Sequence, residues 1–207
     1  MSQNFTKYAF TESVKEAQTQ YGSREIYARR EQSGDRYALS GREAEFIESR
    51  DSFYMATVVE KGWTYVQFCG GPIGFLKVVD ATTLGMVDFR GNRQYISAGN
   101  INATKKASLF LMDYPSQRRL KIWAESRVLE SQADREMLSL LSLPDYDAVV
   151  ERMIVFDVVS YDWNCPQHIT PRFTAEEIKQ GIKTLDPDIT SGRAVRIRNR
   201  TTTEASR

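Results

Sequence analysis

The sequence predicts a mainly β protein with peripheral helices, its strands forming an antiparallel barrel of six or seven strands. Three observations carry this. Six or seven stretches have strand character, most of the links between them are short turns, and the helical stretches lie at the edges and in one late connection. Helices that do not alternate with strands leave no room for parallel βαβ units.

Taken in order, residues 11–31 place Val14, Ala17 and Tyr21 at helical spacing, and Gly22 ends the first helix. Ser40 with Glu43 three positions on is a capping-box pattern, so a helix starts there with Phe46 and Ile47 turned inward. "SFYMATVV" (52–59) and "WTYVQFC" (63–69) read as a β-hairpin across "EKGW", whose Gly62 takes a positive φ easily. "GGPIG" breaks the pattern, and "FLKVV" (75–79) and "TLGMVDF" (83–89) read as two further strands. "ASLFLMD" (107–113), "RRLKIWAESRVLE" (118–130) and "RMIVFDVVSYDW" (152–163) complete the set; in the second, Leu120, Ile122 and Ala124 alternate with charged neighbours and give one buried face. Between the last two, Ser131 and Asp134 stand in capping-box positions before a helix that Pro144 follows. Thr174 and Glu177 repeat the device. This divides the chain into a helical extension (1–50), a barrel (51–172), a C-terminal helix (173–189) and a mobile basic tail (190–207).

With 207 residues there is enough chain for one sizeable core. Lys and Arg number 28 against 27 Asp and Glu, so no global field points to nucleic acid or an anionic membrane. No apolar run is long enough to span a bilayer, and "MSQNFTKYAF" has no secretory pattern. Cys69 and Cys165 form neither a metal-ligand spacing nor a disulfide framework, which places the chain in a reducing, cytoplasmic setting. With one histidine, His168, no GxSxG elbow, no Walker loop and no GxGxxG, hydrolytic and metal chemistry are poorly supported; any reaction is expected to come from a bound cofactor.

One stretch carries binding chemistry. "DFRGNRQYISAGN" (88–100) offers the guanidinium forks of Arg90 and Arg93, the amides of Asn92 and Gln94, and Gly91 for close backbone approach. Ser97 and Asn100 point back at the same spot if a helical turn begins near Gln94. The pattern suits a phosphate, and a solvated turn before a short helix has the same composition. "WNCPQHITPR" adds a stacking face in Trp163, a thiol in Cys165 and a proton carrier in His168; Cys165 and His168 are the candidate catalytic side chains.

From Arg50 to Glu130, and again at "DWNCPQHITPR", the chain resembles the pyridoxamine 5'-phosphate oxidase-like, FMN-binding split β-barrel proteins, in their flavin-nucleotide-binding branch. The stretches that carry the resemblance are "RDSFYMATVVEKGWTYVQ", "GGPIGFLKVVDATTLGMVDFRGNRQYISAGN" and "ASLFLMDYPSQRRLKIWAESRVLE", in matching order and spacing. The resemblance implies a homodimer of split barrels with FMN in clefts at the interface, and oxidoreductase activity on a small substrate. It puts Asn92, Arg93 and Gln94 in the phosphate-loop place, with Ser97 and Asn100 beside them. Phe75 and Phe89 would line the flavin ring, and Gln67 would hydrogen-bond flavin or phosphate. Lys77 matches the family's strand lysine, which places positive charge at the flavin edge, while Pro72 stands where an arginine is expected. Arg119 falls where the oxidase has a glutamine near the ring, and Trp163 and Arg172 match a late tryptophan and arginine. The departures leave pyridoxamine phosphate unsupported as the substrate. Two alternatives stay open: a non-catalytic flavin store or sensor, and another flat cofactor such as a deazaflavin or haem.

Overall fold

The computed structural model describes residues 5–32, 38–163 and 167–184. Seven strands form one antiparallel sheet in the order β2-β1-β5-β6-β7-β4-β3. They are β1 (Ser52–Val58), β2 (Thr64–Gly70), β3 (Lys77–Asp80), β4 (Thr83–Phe89), β5 (Lys106–Asp113), β6 (Arg118–Glu130) and β7 (Val150–Trp163). The fold is the expected split β-barrel. Helices α1 (Phe5–Ala9), α2 (Glu12–Gln20), α3 (Arg24–Glu31) and α4 (Gly41–Glu48) precede the sheet; α5 (Ile96–Thr104) and α6 (Arg135–Leu141) lie within connections. The described residues from Thr170 on form a second unit, which contains α7 (Ala175–Thr184); the tail expected over 190–207 lies outside the described residues.

Strand periodicity decides which side chains are inside. On β1, Phe53, Met55 and Thr57 are buried while Tyr54 is exposed, and β5 and β6 repeat the alternation. The inward set forms one core with Leu109, Leu111, Leu120 and Ile122, all fully buried. Burial of each such side chain contributes about 1.5–3 kcal/mol. Strand β4 departs from the alternation, with Leu84 to Val87 buried without a break. Its second face is covered by α6, whose Leu141 packs with Val87 and Met153. Gly85 makes this docking possible: a Cβ there would meet the Leu141 side chain at 2.7 Å.

The caps test the local readings. Ser40 and Glu43 form the reciprocal capping box at the start of α4. Thr174 and Glu177 do so at α7, with Glu177 N–H donating to Thr174 Oγ1 at 3.2 Å. At α6 the expected box is replaced by a simpler cap: Asp134 is itself the N-cap and accepts from Met137 N–H at 2.9 Å. The cap therefore sits three residues later than the sequence reading placed it, because an aspartate serves as an N-cap directly. The helix expected near Gln94 begins at Ile96, after two left-handed residues. Among the described residues no helix is long and apolar enough to cross a membrane.

Glu43 ties α4 to the sheet. It accepts from Trp163 Nε1 at 2.7 Å, and Phe46 meets the same indole edge-on at 4.7 Å. Burial pushes the Glu43 carboxyl up, but the hydrogen bonds from Ser40 and Trp163 outweigh it and hold the group below its ordinary value. Its stabilisation is thus present above the unfolded-state value and is lost as pH falls through the lower folded one. Glu43→Ala, which removes half a cap and leaves the N–H of a partly buried indole without its acceptor, is expected to cost about 1–3 kcal/mol in urea unfolding at pH 7. The difference from wild type should shrink as the pH is taken down through the carboxylate range.

Candidate functional site

β2 and β3 are the two ends of the sheet. Between β2 and β4 lies a cleft of about 330 Å³, lined also by the 91–98 segment and by the start of β7. One wall is apolar and aromatic, from Phe75, Met86, Ile154 and Phe68. The other end is polar and is built by the segment between β4 and α5. Aromatic breadth at one end and ionic groups at the other suit a flat, anionic ligand.

That polar end has a strained backbone. Arg93 and Tyr95, neither of them glycine, adopt left-handed φ values of 61° and 55°. Such residues persist only where surrounding contacts hold them, and they gather at binding sites. Asn92 Oδ1 accepts from Gln94 N–H at 3.1 Å and closes the turn. Tyr95 is the N-cap of α5 without a side-chain cap bond, and the first residues of α5, Ile96, Ser97 and Ala98, line the cleft. Arg93 Nε donates to Tyr95 Oη at 3.1 Å, and its two terminal nitrogens form no hydrogen bond to the described residues.

The structure gathers half of the sequence-derived candidates here. Gln67, Phe75, Phe89, Asn92, Arg93, Gln94 and Ser97 all line the cleft. Ser97 Oγ donates to Gln67 Oε1 at 2.6 Å, which joins α5 to β2. Phe75 serves core and cleft together, stacked on Phe53 at 5.6 Å. Phe89 also packs edge-on to Tyr146 at 5.0 Å.

Other candidates lie elsewhere. Asn100, one turn on from Ser97, donates to Thr57 Oγ1 at 3.0 Å and is buried against β1. Lys77 starts β3 opposite Gly85 and is not part of the cleft wall. Arg119 pairs with Met112 across β5 and β6, and its Nε is buried without a hydrogen-bond partner among the described residues. Trp163 is taken up by α4: besides Glu43 and Phe46 it carries the Arg42 guanidinium over its ring at 4.7 Å. His168 is exposed in a turn, with φ 62°. Arg172 belongs to the second compact unit, and Cys165 lies outside the described residues.

Several cleft groups had no sequence signal. Asp88 on β4, and Glu151 and Arg152 on β7, converge through strand pairing across more than sixty positions. Arg90 Nε donates to Glu151 Oε1 at 3.0 Å, and Arg152 Nη2 donates to Glu151 Oε2 at 2.8 Å. The hydrogen bond from Arg90 holds the Glu151 carboxyl below its ordinary range, with Arg152 and Arg93 adding to it against the opposing effect of burial. Burial pushes Asp88 upward; Arg152, 3.7 Å away, opposes this and Glu151 reinforces it. Cys69, on the β2 wall, is driven up to about 11 by burial. Among the charged residues that line the cleft, Arg93 and Arg152 balance Asp88 and Glu151, and Arg90 pairs with Glu151 from outside the lining. Among the described residues no group of three metal-binding side chains occurs.

Comparison with known proteins agrees with this architecture. A search of curated proteins finds no match. Among solved structures, a variant of HupZ from Group A Streptococcus aligns at TM-score 0.50 and 13% identity, over 61% of this chain and 99% of that one, which shows a shared fold. An FMN-binding protein from Syntrophomonas wolfei aligns at TM-score 0.44 and 14% identity, over 74% of this chain and 96% of the other. A Clostridium acetobutylicum protein related to general stress protein 26, of the pyridoxinephosphate oxidase family, aligns at 0.44 and 15% identity, over 66% and 94%. The family model described as pyridoxamine 5'-phosphate oxidase matches residues 39–150, more than half of the chain and the span from α4 to the first residue of β7, and the chain belongs to that family.

Proposed function

We propose that the cleft holds FMN and that the protein is an FMN-dependent oxidoreductase acting on a small substrate. The observation that carries this is the free Arg93 fork beside the start of α5, at the polar end of an aromatic-walled cleft. A dianionic phosphate matches that donor set, since guanidinium forks and helix N-terminal N–H groups both favour it. In this reading Arg93, Gln94 and the α5 N–H groups hold the phosphate. Ser97 and Gln67 fix α5 against β2, and Phe75 walls the ring. FMN, when bound, supplies hydride and electron transfer. The chain binds, orients and shields it. Family membership supports a flavin-type ligand, and the resemblance in sequence selects FMN within that class.

A homodimer belongs to the same proposal. The outward faces of β2 and β1 carry Val66, Phe68 and Tyr54, exposed by 58%, 63% and 37%, with Phe68 and Tyr54 in edge contact at 5.7 Å. Apolar side chains grouped on one sheet face suit a second copy of the chain. Arg119 lies on the outward side of β6, where the orphaned Nε would find an acceptor once that face is covered.

One observation favours a non-catalytic carrier as the second reading. Burial pushes the Cys69 thiol up to about 11, so at neutral pH it offers the cleft a thiol and no thiolate. Turnover separates the two: reoxidation by acceptors faster than for free FMN supports the enzyme, and tight binding without it supports the carrier.

Protein purified without added cofactor should show a flavin spectrum and release FMN, one per chain, on denaturation; a deazaflavin or haem spectrum would replace FMN in the proposal. Arg93→Ala should weaken FMN binding by about tenfold to a hundredfold in fluorescence titration, and unchanged affinity would remove the phosphate assignment. Val66→Asp should shift the sedimentation coefficient from dimer to monomer. In a Cys165→Ser background, Cys69 should alkylate slowly at pH 8, where about one thiol in a thousand is ionised, and faster as the pH approaches 11.

A further inference from the structure

Strand β7 carries an irregularity where it enters the cleft. Asp88 pairs with Arg152 and Phe89 with Val150, so Glu151 is left over between two paired residues. An extra residue of this kind bends the strand and re-aims a side chain. Here Glu151 and its neighbour Arg152 both line the cleft, whereas regular pleating would turn one of them away.

The re-aimed carboxylate anchors a chain of contacts. Glu151 Oε1 accepts from Tyr95 Oη at 3.4 Å, and Tyr95 Oη accepts from Arg93 Nε at 3.1 Å. The Arg152 guanidinium, held by Glu151 at 2.8 Å, lies over the Tyr95 ring at 4.5 Å from its centroid. The same two residues, Arg93 and Tyr95, have the left-handed backbone. The strain of the loop is thus held by contacts that converge on one bulged glutamate. Only the Nε edge of Arg93 is used, and its terminal fork is left for a ligand.

We propose that Glu151 and Tyr95 are positioning residues that hold the Arg93 fork ready for the phosphate of a flavin mononucleotide and so set the preference of the cleft for phosphorylated over unphosphorylated ligand. This rests on the reading that the cleft binds FMN phosphate. Neither residue touches the phosphate. Tyr95 orients Arg93, and Glu151 orients Tyr95 and Arg152 by accepting from each. Hydrogen-bonded relays of this kind are felt as lost preorganisation when a link is cut.

The test is the ratio of FMN to riboflavin affinity, measured by fluorescence titration on the full chain. Riboflavin shares the ring and lacks the phosphate. Tyr95→Phe, which deletes one hydroxyl, should reduce the ratio about tenfold with riboflavin affinity unchanged. Glu151→Ala should do the same, while Glu151→Gln, whose amide oxygen still accepts from Tyr95, should keep the ratio within about threefold of wild type. Adding Tyr95→Phe to Arg93→Ala should change nothing further, since the relay then has no end. A wild-type chain without preference for FMN overturns the FMN reading and the proposal together. If wild type prefers FMN and Arg93→Ala loses the preference while Tyr95→Phe keeps it, the FMN reading stands and the relay is overturned. Equal loss of FMN and riboflavin affinity in Tyr95→Phe marks a structural role and also overturns the relay.

Discussion

Strand β7 hydrogen-bonds to β6 on one side and to β4 on the other, and it is the one place where the two parts of the sheet meet. To one side lie β2, β1, β5 and β6; to the other, β4 and β3. The core needs both, because Phe53, Leu111 and Ile122 from the first part pack in one cluster with Leu84 and Met86 from the second. The cleft needs both as well: its aromatic wall draws on β2 and β4, and its ionic end is anchored on β7. Fold and site therefore depend on the same pair of ladders.

The split between β2 and the β3–β4 end gives the cleft its asymmetry. A barrel closed by hydrogen bonds along this seam would bring backbone groups together and leave no gap for a flat ring. Here α5 is tied to β2 by a side-chain contact, Ser97 to Gln67, and to β1 by Asn100 to Thr57. Together these contacts hold the start of α5 against β2 and β1, and with it the polar end of the cleft.

Local features were legible in the sequence. Ser40 and Glu43, or Thr174 and Glu177, announce their helices because a capping box is complete within four residues. The Arg93 loop could be read for the same reason, since its glycine, amides and guanidinium groups are contiguous. Asn100 shows the limit: its spacing from Ser97 is helical, but residues three apart on a short helix diverge enough that one reaches the cleft and the other β1. Trp163 lies outside the cleft lining, and its place was not legible because an indole that stacks on a ligand and one that packs on Glu43 and Phe46 look alike in sequence. Asp88, Glu151 and Arg152 were beyond reach. They meet through a ladder whose register shift leaves no mark on residue type.

The late position of β7 in the chain has a consequence for biosynthesis. The amino end emerges from the ribosome first, and β1, β2 and β5 can pair as soon as β5 is made. Strand β4 cannot join them then, because its only partner besides β3 is not yet translated. From residue 89 to residue 163 the nascent chain carries Leu84, Met86 and Val87 without the strand and helix that later cover them. That interval is when the polypeptide is most exposed to misassociation and most in need of chaperone cover, and rare codons placed within it would lengthen the exposure.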